Sequence, residues 1–207
     1  MIVQTVPVSQ YLTTNAYFYI DEKSGKGVLI DPAAEAEHLL QIIRENDWKI
    51  EKILLTHGHF DHIGAVQQIA DTLRVSYFIH IKGKQYLSSP QFNLSGMTPK
   101  PIVLEQAQYL EDGEMVGWND DKSAGLRVIY TPGHTQDSVV YYDKDNNIAF
   151  VGDTIFKDSY GATHFPGGDF AQLMNSIKNK VLTLPDNTVL YSGHSEPTTV
   201  GLEKNNF

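Results

Sequence analysis

Apolar residues recur along this chain with two periods that alternate from segment to segment. Runs rich in aromatic and β-branched residues, typical of strands, occupy residues 1–8, 15–20 and 28–30, and a charged loop with two glycines precedes the third run. Residues 33–46 instead place apolar side chains at helical spacing. The N-terminal part is therefore predicted to be a set of hairpin-linked strands followed by an amphipathic helix.

The same alternation continues to the end of the chain. Strands are predicted at residues 50–56, 75–80, 108–118, 125–131, 138–143, 147–151 and 188–192. Helices are predicted at residues 63–73, 82–88 and 169–182. Three prolines and a glycine between residues 90 and 101 predict an irregular loop there. Polar turns are predicted at residues 111–113, inside the third of these strand segments, and from Asn119 to Gly125.

The order of these elements predicts the fold class. Helices interleave with strands in both halves, yet many strands are linked by hairpins, which favours two mixed sheets packed face to face with helices outside. The chain has 207 residues, of which 41% are hydrophobic, enough for a substantial core. We find no repeat or low-complexity segment, so residues 1–207 are expected to form a single α/β (α+β) domain.

Composition and charge argue against several classes of function. The formal net charge of −9 disfavours a nucleic-acid partner. The absence of cysteine excludes disulfides and thiolate metal sites. The N-terminus lacks the pattern of a signal peptide, and no apolar run approaches the roughly 20 residues of a membrane span. We therefore expect a cytoplasmic protein without a membrane partner, and the sequence leaves its oligomeric state open.

A dense group of metal-ligand residue types follows the predicted strand 50–56. Three histidines and one aspartate fall within the six residues from His57 to His62. Neutral imidazole and carboxylate suit zinc, iron or manganese. His57 and His59 are two residues apart, a spacing that aligns them in extended or looped backbone but not on a helix. We therefore predict a loop rather than a helix here, with Asp61 and His62 directed differently and available to a second metal.

The spacing His-x-His-x-Asp-His at 57–62 resembles the signature of the metallo-β-lactamase superfamily. Three further motifs of that family stand in the expected order along the chain. They are Pro-Gly-His-Thr at residues 132–135, Gly-Asp-Thr at residues 152–154 and a late histidine in Ser-Gly-His at residues 192–194. The resemblance extends from about residue 12 to residue 200, and it implies a four-layer αββα sandwich with metals at one edge.

The resemblance also implies a ligand set and a chemistry. It assigns His57, His59 and His134 to a first metal, Asp61, His62 and His194 to a second, and Asp153 to the bridge between them. The implied cofactors are two divalent ions, with zinc preferred and iron or manganese as alternatives. Each ion would keep room for water, as catalytic sites require. A metal-bound hydroxide would attack a carbonyl, with Asp61 and Asp153 as the catalytic carboxylates.

Simpler interpretations fit less well. A structural metal site is usually closed by four ligands, and seven candidates are too many for one. Two other histidines are expected to lie outside the centre. His38 falls in a predicted amphipathic helix and is expected at the surface, and His80 ends a strand and is expected to be structural or pocket-lining.

Details within the motifs narrow the function that the resemblance implies. The common β-lactamases carry Arg after the signature Asp and a Cys ligand, whereas this chain has His62 and no Cys. The di-iron flavin-linked reductases carry Glu where His59 stands here, and the nuclease branches carry extra domains and basic surfaces. The chain thus looks like the short glyoxalase II-like branch. This predicts a hydrolase acting on a small-molecule thioester or similar activated carbonyl.

Two loops strengthen this likeness and supply pocket candidates. Residues 91–96, which contain Asn93, resemble an Asn-Leu-Ser loop of that branch, and residues 165–169 resemble a later loop. The helical domain that carries basic residues for glutathione in full-length glyoxalase II is not expected here. Tyr160 is a further candidate for contact with substrate. Thioester hydrolysis is therefore better supported than action on S-lactoylglutathione.

The chain departs from its relatives at residues 161–164. Related short hydrolases and persulfide dioxygenases typically read Gly-Arg-x-Asp, where this chain reads Gly-Ala-Thr-His. One interpretation is neutral repacking of the loop. The other is a less positive pocket with the titratable His164 near the metals. The alternatives to a thioester hydrolase are a mononuclear iron persulfide dioxygenase and a non-catalytic metal-binding module.

Overall fold

The computed structural model describes residues 1–118 and 125–207, and in these residues the strands form two six-stranded sheets. The first sheet contains, in hydrogen-bonded order, β1 (Ile2–Ser9), β2 (Thr13–Ile20), β3 (Lys26–Ile30), β4 (Lys49–Leu54), β5 (Ser76–His80) and β6 (Gln108–Leu110). The first three strands pair antiparallel as hairpins, whereas β3 to β6 pair in parallel. Parallel pairs need crossover connections, which bring helices to the outer face of the sheet.

These connections contain the helices of the N-terminal half. They are α1 (Ala36–Glu45), α2 (Phe60–Ile63), α3 (Val66–Leu73) and α4 (Gly83–Ser88), followed by a short 3₁₀ turn at Ser95–Met97. Side chains of α1 and α3, such as Leu39 and Ile69, pack with Phe18 and Ile20 from β2 on the outer face of the first sheet. Helices therefore cover one side of this sheet.

The second sheet is mostly antiparallel and belongs to the C-terminal half. It contains β7 (Met115–Val116), β8 (Leu126–Tyr130), β9 (Val139–Asp143), β10 (Ile148–Gly152), β11 (Val189–Ser192) and β12 (Thr198–Thr199). The pair β10 and β11 is parallel. Its crossover contains α5 (Phe170–Ser176), continued by a π-helical turn at Ile177–Val181, and α6 (Val200–Glu203) follows β12.

The two sheets pack face to face through their inner side chains. Tyr19 and Leu54 of the first sheet belong to one buried cluster with Val128, Tyr141 and Phe150 of the second. Successive side chains of a strand point to opposite faces, so Phe18 and Tyr19 enter different layers. Leu173 and Ile177 cover the outer face of the second sheet. The predicted four-layer αββα sandwich is thus confirmed.

Several boundaries differ from the sequence-based predictions. The helix predicted at 33–46 begins only at Ala36, because Glu35 has a left-handed backbone with φ of 52°. The segment 108–118 is not one strand, since β6 and β7 join different sheets on either side of the predicted turn. Residues 119–124 of the turn predicted from Asn119 to Gly125 lie outside the described residues.

The helix predicted at 63–73 is two helices, and this changes the metal-ligand stretch. A first turn, α2, already starts at Phe60 and ends at Ile63. The prediction that the whole stretch forms a loop is therefore wrong for Asp61 and His62, which lie on this turn. It holds for His57 and His59, which precede α2 in irregular backbone. Adjacent positions on a helical turn still point about 100° apart, so Asp61 and His62 remain differently directed.

The described residues contain no helix with both the length and the apolar character that crossing a membrane would need.

Phe150 connects the two sheets through aromatic contacts. It is fully buried, and its ring centroid lies 5.3 Å from those of Tyr17 and Tyr19 and 5.5 Å from that of Tyr191. We expect Phe150→Ala to lower the free energy of unfolding by about 3–5 kcal/mol, because the sheets cannot close the resulting cavity. Urea denaturation measures this loss.

The half-exposed Phe170 provides the matched control. Phe170→Ala should cost less than Phe150→Ala, since about half of the Phe170 side chain stays in water after folding. A loss below about 1 kcal/mol for Phe150→Ala would show that the inter-sheet layer does not hold the sandwich together.

Candidate metal centre

The motif residues converge where several strands of both sheets end. His57 and His59 follow β4, and α2 places Asp61 and His62 beside them. From the second sheet, the segments after β8, β10 and β11 supply the remaining side chains, which are His134, Asp153 and His194. Because β10 and β11 are parallel, their carboxyl ends lie at the same edge. The two sheets thus meet at one polar edge.

The first triad consists of His57, His59 and His134. Each residue offers one ring nitrogen, and these three nitrogens lie within 4.8 Å of one another. Nδ1 of His59 lies 3.0 Å from Nε2 of His134. All three side chains are buried. Three imidazoles directed at one point form the donor set of a catalytic zinc or iron site.

The second triad consists of Asp61, His62 and His194. Their ligand atoms also lie within 4.8 Å of one another. Oδ2 of Asp61 is 3.3 Å from Nε2 of His194 and 4.0 Å from Nε2 of His62. His62 is fully buried, whereas the side chain of His194 is about one quarter exposed. The second triad therefore lies nearer to solvent than the first.

Asp153 lies between the two triads. Its Oδ2 is 3.6 Å from Nε2 of His134 in the first triad and 3.4 Å from Nε2 of His194 in the second. Its Oδ1 is 3.4 Å from Nε2 of His62. One carboxylate thus contacts histidines of both triads.

Backbone carbonyls fix the orientation of two histidines. Nδ1 of His134 donates a hydrogen bond to the carbonyl of Ala162 at 2.6 Å, and Nδ1 of His194 donates one to the carbonyl of Thr13 at 2.8 Å. In both rings the proton on Nδ1 leaves the Nε2 lone pair directed at the cluster. Partners of this kind raise the basicity of a ligating imidazole and hold its tautomer.

Asp31 performs the same task for His62 with a carboxylate. Its Oδ2 accepts from Nδ1 of His62 at 2.9 Å, and the buried carboxylate also accepts from the backbone N–H and the hydroxyl of Thr56 at 2.8 and 2.6 Å. Thr56 Oγ1 in turn lies 3.2 Å from Nδ1 of His57. Asp31 thus connects a histidine of the second triad to the strand end that carries the first.

Glycines allow the backbone to approach the centre closely. A Cβ atom on Gly193 would lie 2.3 Å from Oδ1 of Asp153 and 2.7 Å from Cε1 of His62. Gly133, before His134, has φ of 140°, and a Cβ there would lie 2.2 Å from the backbone nitrogen of Leu173 in α5. Any other residue at either position would push the ligand-bearing segments apart.

Unpartnered polar atoms inside the centre fit a bound cation. Within the described part of the chain, the buried Nε2 atoms of His57 and His62 and the Oδ1 atom of Asp153 have no hydrogen-bond partner. Buried polar atoms are nearly always partnered, and leaving one unpaired costs about 1–3 kcal/mol. All three atoms belong to the nitrogen and oxygen donor types of divalent transition metals. The residues present therefore fit metal ions at both triads.

The protonation preferences of the two triads differ. Burial lowers the pKa of His57 well below its usual value and that of His59 to about 3, so both rings are neutral at physiological pH. Burial also disfavours charge on His62 and His194, but nearby carboxylates outweigh it. Asp153 and Asp31 raise the pKa of His62, and hydrogen bonds with Asp153 and Asp61 raise that of His194 to about 10. A cation at the second triad would replace these protons.

A cavity of about 660 Å³ opens directly onto the centre. His59, Asp61, Asp153 and His194 form the part of its wall that faces the two triads. The remaining lining residues are Tyr11, Leu12, Thr13, Phe60, Leu94, Met97, Phe156, Ala162 and Phe165. Its volume is in the range of small-molecule binding sites. The centre is therefore accessible to a small molecule that enters past largely apolar side chains.

A family model described as the metallo-beta-lactamase superfamily matches residues 11–194, a range that contains all seven residues of the two triads and Asp153. The chain belongs to the metallo-β-lactamase superfamily. It is thereby a member of a superfamily of metal-dependent hydrolases, and its αββα sandwich with a histidine and aspartate cluster at one edge agrees with this membership.

Individual members of the superfamily resemble this chain over nearly its whole length. It is 32% identical to the protein named hydroxyacylglutathione hydrolase GloC of Haemophilus influenzae, over 99% of this chain and 95% of that protein. The crystal structure of BLEG-1 B3 metallo-beta-lactamase matches with a TM-score of 0.91 and 35% identity, covering 99% and 97% of the two chains. The structure of TTHA1623 in a di-iron-bound form matches with a TM-score of 0.83 and 32% identity, covering 97% and 98%.

The three predicted pocket candidates do not line the cavity. Asn93 is fully buried, and its amide nitrogen donates to the carbonyls of Tyr86 and Ile102 at 3.0 Å. These bonds connect α4 to the loop between α4 and β6. Tyr160 is partly exposed and packs on Phe170 instead of facing the centre. His164 is exposed and its ring lies 4.1 Å from that of Phe165, a residue that does line the cavity.

Sequence reasoning missed the role of Asp31 and most of the cavity wall. Asp31 directly follows β3, the parallel neighbour of the strand that precedes His57. A carboxylate at that strand end was the available signal. The wall residues Leu12, Met97 and Phe156 come from three separate loops, and no periodic pattern marks them.

Asp31→Asn tests whether the carboxylate orients His62. The amide oxygen can still accept from the backbone N–H of Thr56, but the amide NH₂ cannot accept a proton from Nδ1 of His62. His62 would then be driven to the tautomer that carries its proton on Nε2, towards the second triad. We expect metal affinity at the second triad to fall about 10–100-fold, with a smaller change at the first. Titration against a competing chelator measures both affinities.

The exposed Asp71 on α3 supplies the matched control, and Asp71→Asn should leave both affinities unchanged. If the metal affinity of each triad in Asp31→Asn equalled that of the unmodified protein, Asp31 would have no role in orienting His62.

Proposed function

We propose that this chain is a dinuclear metal-dependent hydrolase that cleaves a small-molecule thioester or a similarly activated acyl compound. The observation that carries the proposal is the position of Asp153, whose carboxylate lies within 3.6 Å of histidine nitrogens from both triads. In this proposal the first triad holds one ion, the second triad holds the other, and Asp153 contacts both. Zinc suits the nitrogen and oxygen donors best, and iron or manganese also fits.

When bound, such ions supply Lewis acidity for a carbonyl oxygen and a nucleophile at neutral pH. The chain's own groups prepare the centre for this chemistry. Burial opposes ionisation of Asp153, but His62 and His194 outweigh it and hold its pKa well below the usual range. The pKa of Asp61 is also lowered, chiefly by its hydrogen bond with His194 against the effect of burial. Both carboxylates therefore remain ionised at the cavity wall, beside the reacting atoms.

The shape of the site supports an acyl-transfer substrate. The cavity reaches Asp61 and Asp153 from one side, so a carbonyl group can approach the centre while its substituents stay in the apolar part. Apolar walls exclude competing water and strengthen electrostatic interactions at the reacting bond. A thiolate leaves readily at neutral pH, so a thioester needs little help from a general acid. Hydroxyacylglutathione, in the name of the Haemophilus influenzae relative, is itself a thioester.

β-Lactam hydrolysis is the second candidate, because the BLEG-1 structure, described as a B3 metallo-beta-lactamase, matches with a TM-score of 0.91. A β-lactam is also an activated carbonyl, and the same centre could attack it. The Haemophilus influenzae relative favours the thioester at a comparable level of identity. The two reactions are therefore separated by substrate tests, not by the ligand set.

Asp153→Ala tests the dinuclear arrangement. Removing one carboxylate disturbs both ions, so we expect the metal content to fall below two ions per chain and thioester turnover to fall by several orders of magnitude. Metal analysis by mass spectrometry and a thiol-release assay provide the two readouts. The exposed Asp145 gives the matched control, and Asp145→Ala should behave as the unmodified chain. Two retained ions with near-normal activity in Asp153→Ala would contradict the assignment.

The choice of substrate is tested by comparing the rates of thioester and β-lactam hydrolysis. We expect the purified protein to hydrolyse S-lactoylglutathione or a related thioester faster than the chromogenic β-lactam nitrocefin. A chelator should abolish the activity, and zinc, manganese or iron should restore it.

Rapid nitrocefin hydrolysis without thioester turnover would make the chain a β-lactamase. Oxygen uptake with glutathione persulfide by a protein holding a single iron would instead establish the dioxygenase alternative.

A further inference from the structure

The cavity wall away from the metal centre is mostly apolar, with Thr13 as its one polar residue other than a tyrosine among the described lining residues. Its apolar side chains include Tyr11, Leu12, Leu94, Met97, Phe156 and Phe165. They come from the β1–β2 turn, the loop between α4 and β6, and the segment after β10. Three separate parts of the chain thus supply apolar groups to one cavity of about 660 Å³. Their convergence makes the space beside the centre suited to a hydrocarbon group.

No lysine or arginine lines this cavity in the described part of the chain. Its ionisable lining groups, apart from a tyrosine, are the metal-facing His59, Asp61, Asp153 and His194. Lys157 follows the lining residue Phe156, but its ammonium group pairs with Glu196 at 2.9 Å on the exposed surface. A glutathione conjugate carries two carboxylates, and these lose solvation without gaining a cationic partner in such a cavity.

The apolar wall continues outwards to an exposed rim. Leu12 is 54% exposed and Met97 is 76% exposed, and both border the cavity. Tyr11 packs on Phe60 with ring centroids 5.9 Å apart, which joins the rim to α2. Exposed apolar groups at the mouth of a cavity mark a surface that a ligand covers. A chain of several methylene groups could therefore extend from the centre to the rim with apolar contacts throughout.

Ala162 is the lining position at which a cationic side chain would place a positive charge in the cavity. Its carbonyl holds His134, and the residue itself lines the cavity. A cationic side chain at this position would lie beside the reacting carbonyl, where the present methyl group leaves the wall neutral. The neutral character of the cavity wall next to the first triad thus depends on the residue at position 162.

We propose that the substrate is an uncharged thioester that carries an apolar chain of several carbons, not a glutathione conjugate. This inference rests on the proposed hydrolase function. The apolar chain belongs either to the acyl group or to the thiol, and the two possibilities are separated by experiment.

The first experiment compares turnover in three substrate series with the metal-loaded protein. One series varies the acyl group from acetyl to octanoyl on the neutral thiol N-acetylcysteamine. A second varies the alkyl thiol on acetyl, and a third places the same acyl groups on glutathione. We expect kcat/KM to rise up to about fourfold per methylene group in one of the two neutral series, and to exceed the glutathione value at equal acyl length. A flat response to chain length with preference for glutathione would overturn the proposal.

The second experiment measures binding without chemistry. Alkyl amides of increasing length resemble the thioesters but resist hydrolysis, and they are titrated calorimetrically into the metal-loaded protein. Affinity should rise with each methylene group until the chain reaches the rim. Chain-dependent binding with no thioester turnover would defeat the hydrolase proposal and leave the cavity assignment intact. Thioester turnover together with binding that is independent of chain length would support the hydrolase proposal and overturn the assignment of an apolar chain to the cavity.

Matched variants connect the preference to the wall. Leu12→Asn should lower the ratio of octanoyl to acetyl turnover at least threefold, whereas Leu202→Asn, at an exposed leucine outside the cavity, should leave the ratio unchanged. Ala162→Arg should raise turnover of glutathione thioesters relative to neutral ones, and Ala162→Met controls for side-chain size. Equal effects of Arg and Met at position 162 would show that charge at the wall does not set the preference.

Discussion

The position of the Asp153 carboxylate between the two triads is the constraint on which the rest of the structure depends. The carboxylate must lie within about 3.6 Å of nitrogens contributed by both halves of the chain. His62 comes from the first sheet, through α2, and His134 and His194 come from the second. The centre exists only where the two sheets pack at a fixed separation. The aromatic layer around Tyr19 and Phe150 sets that separation.

Burying many polar groups inside the sandwich lowers the stability of the folded state, and nearby hydrogen-bond partners offset part of this loss. Buried ionisable groups destabilise a protein unless they are paired or bind metal. The Asp31 carboxylate and the carbonyls of Thr13 and Ala162 each satisfy one histidine nitrogen from behind. These contacts direct the opposite ring nitrogens at the cluster, where Nε2 of His62 has no hydrogen-bond partner. Ions that bind there would stabilise the folded state. Stability and reactivity therefore draw on the same side chains.

The sequence was sufficient to name the residues of the candidate centre but not to describe what surrounds them. His57 stands in a dense group of histidines after an apolar strand run, whereas His134, Asp153 and His194 were assigned through the family motifs. The exchange of sheets between β6 and β7 could not be predicted, because register and partner choice depend on tertiary contacts. Asn93 illustrates the same limit, since its loop motif was recognisable while its buried structural role depends on carbonyls elsewhere in the chain. The cavity wall combines residues that are distant in sequence, and only the assembled fold shows that it is apolar.

A crystal structure of the metal-loaded protein, with ions assigned by anomalous scattering at their absorption edges, tests the central claim most directly. We expect two ions in this structure. One would lie within ligand distance of His57, His59 and His134, and the other within ligand distance of Asp61, His62 and His194. Asp153 would contact both ions. A single fully occupied ion, or a second ion bound away from the second triad, would contradict the dinuclear centre.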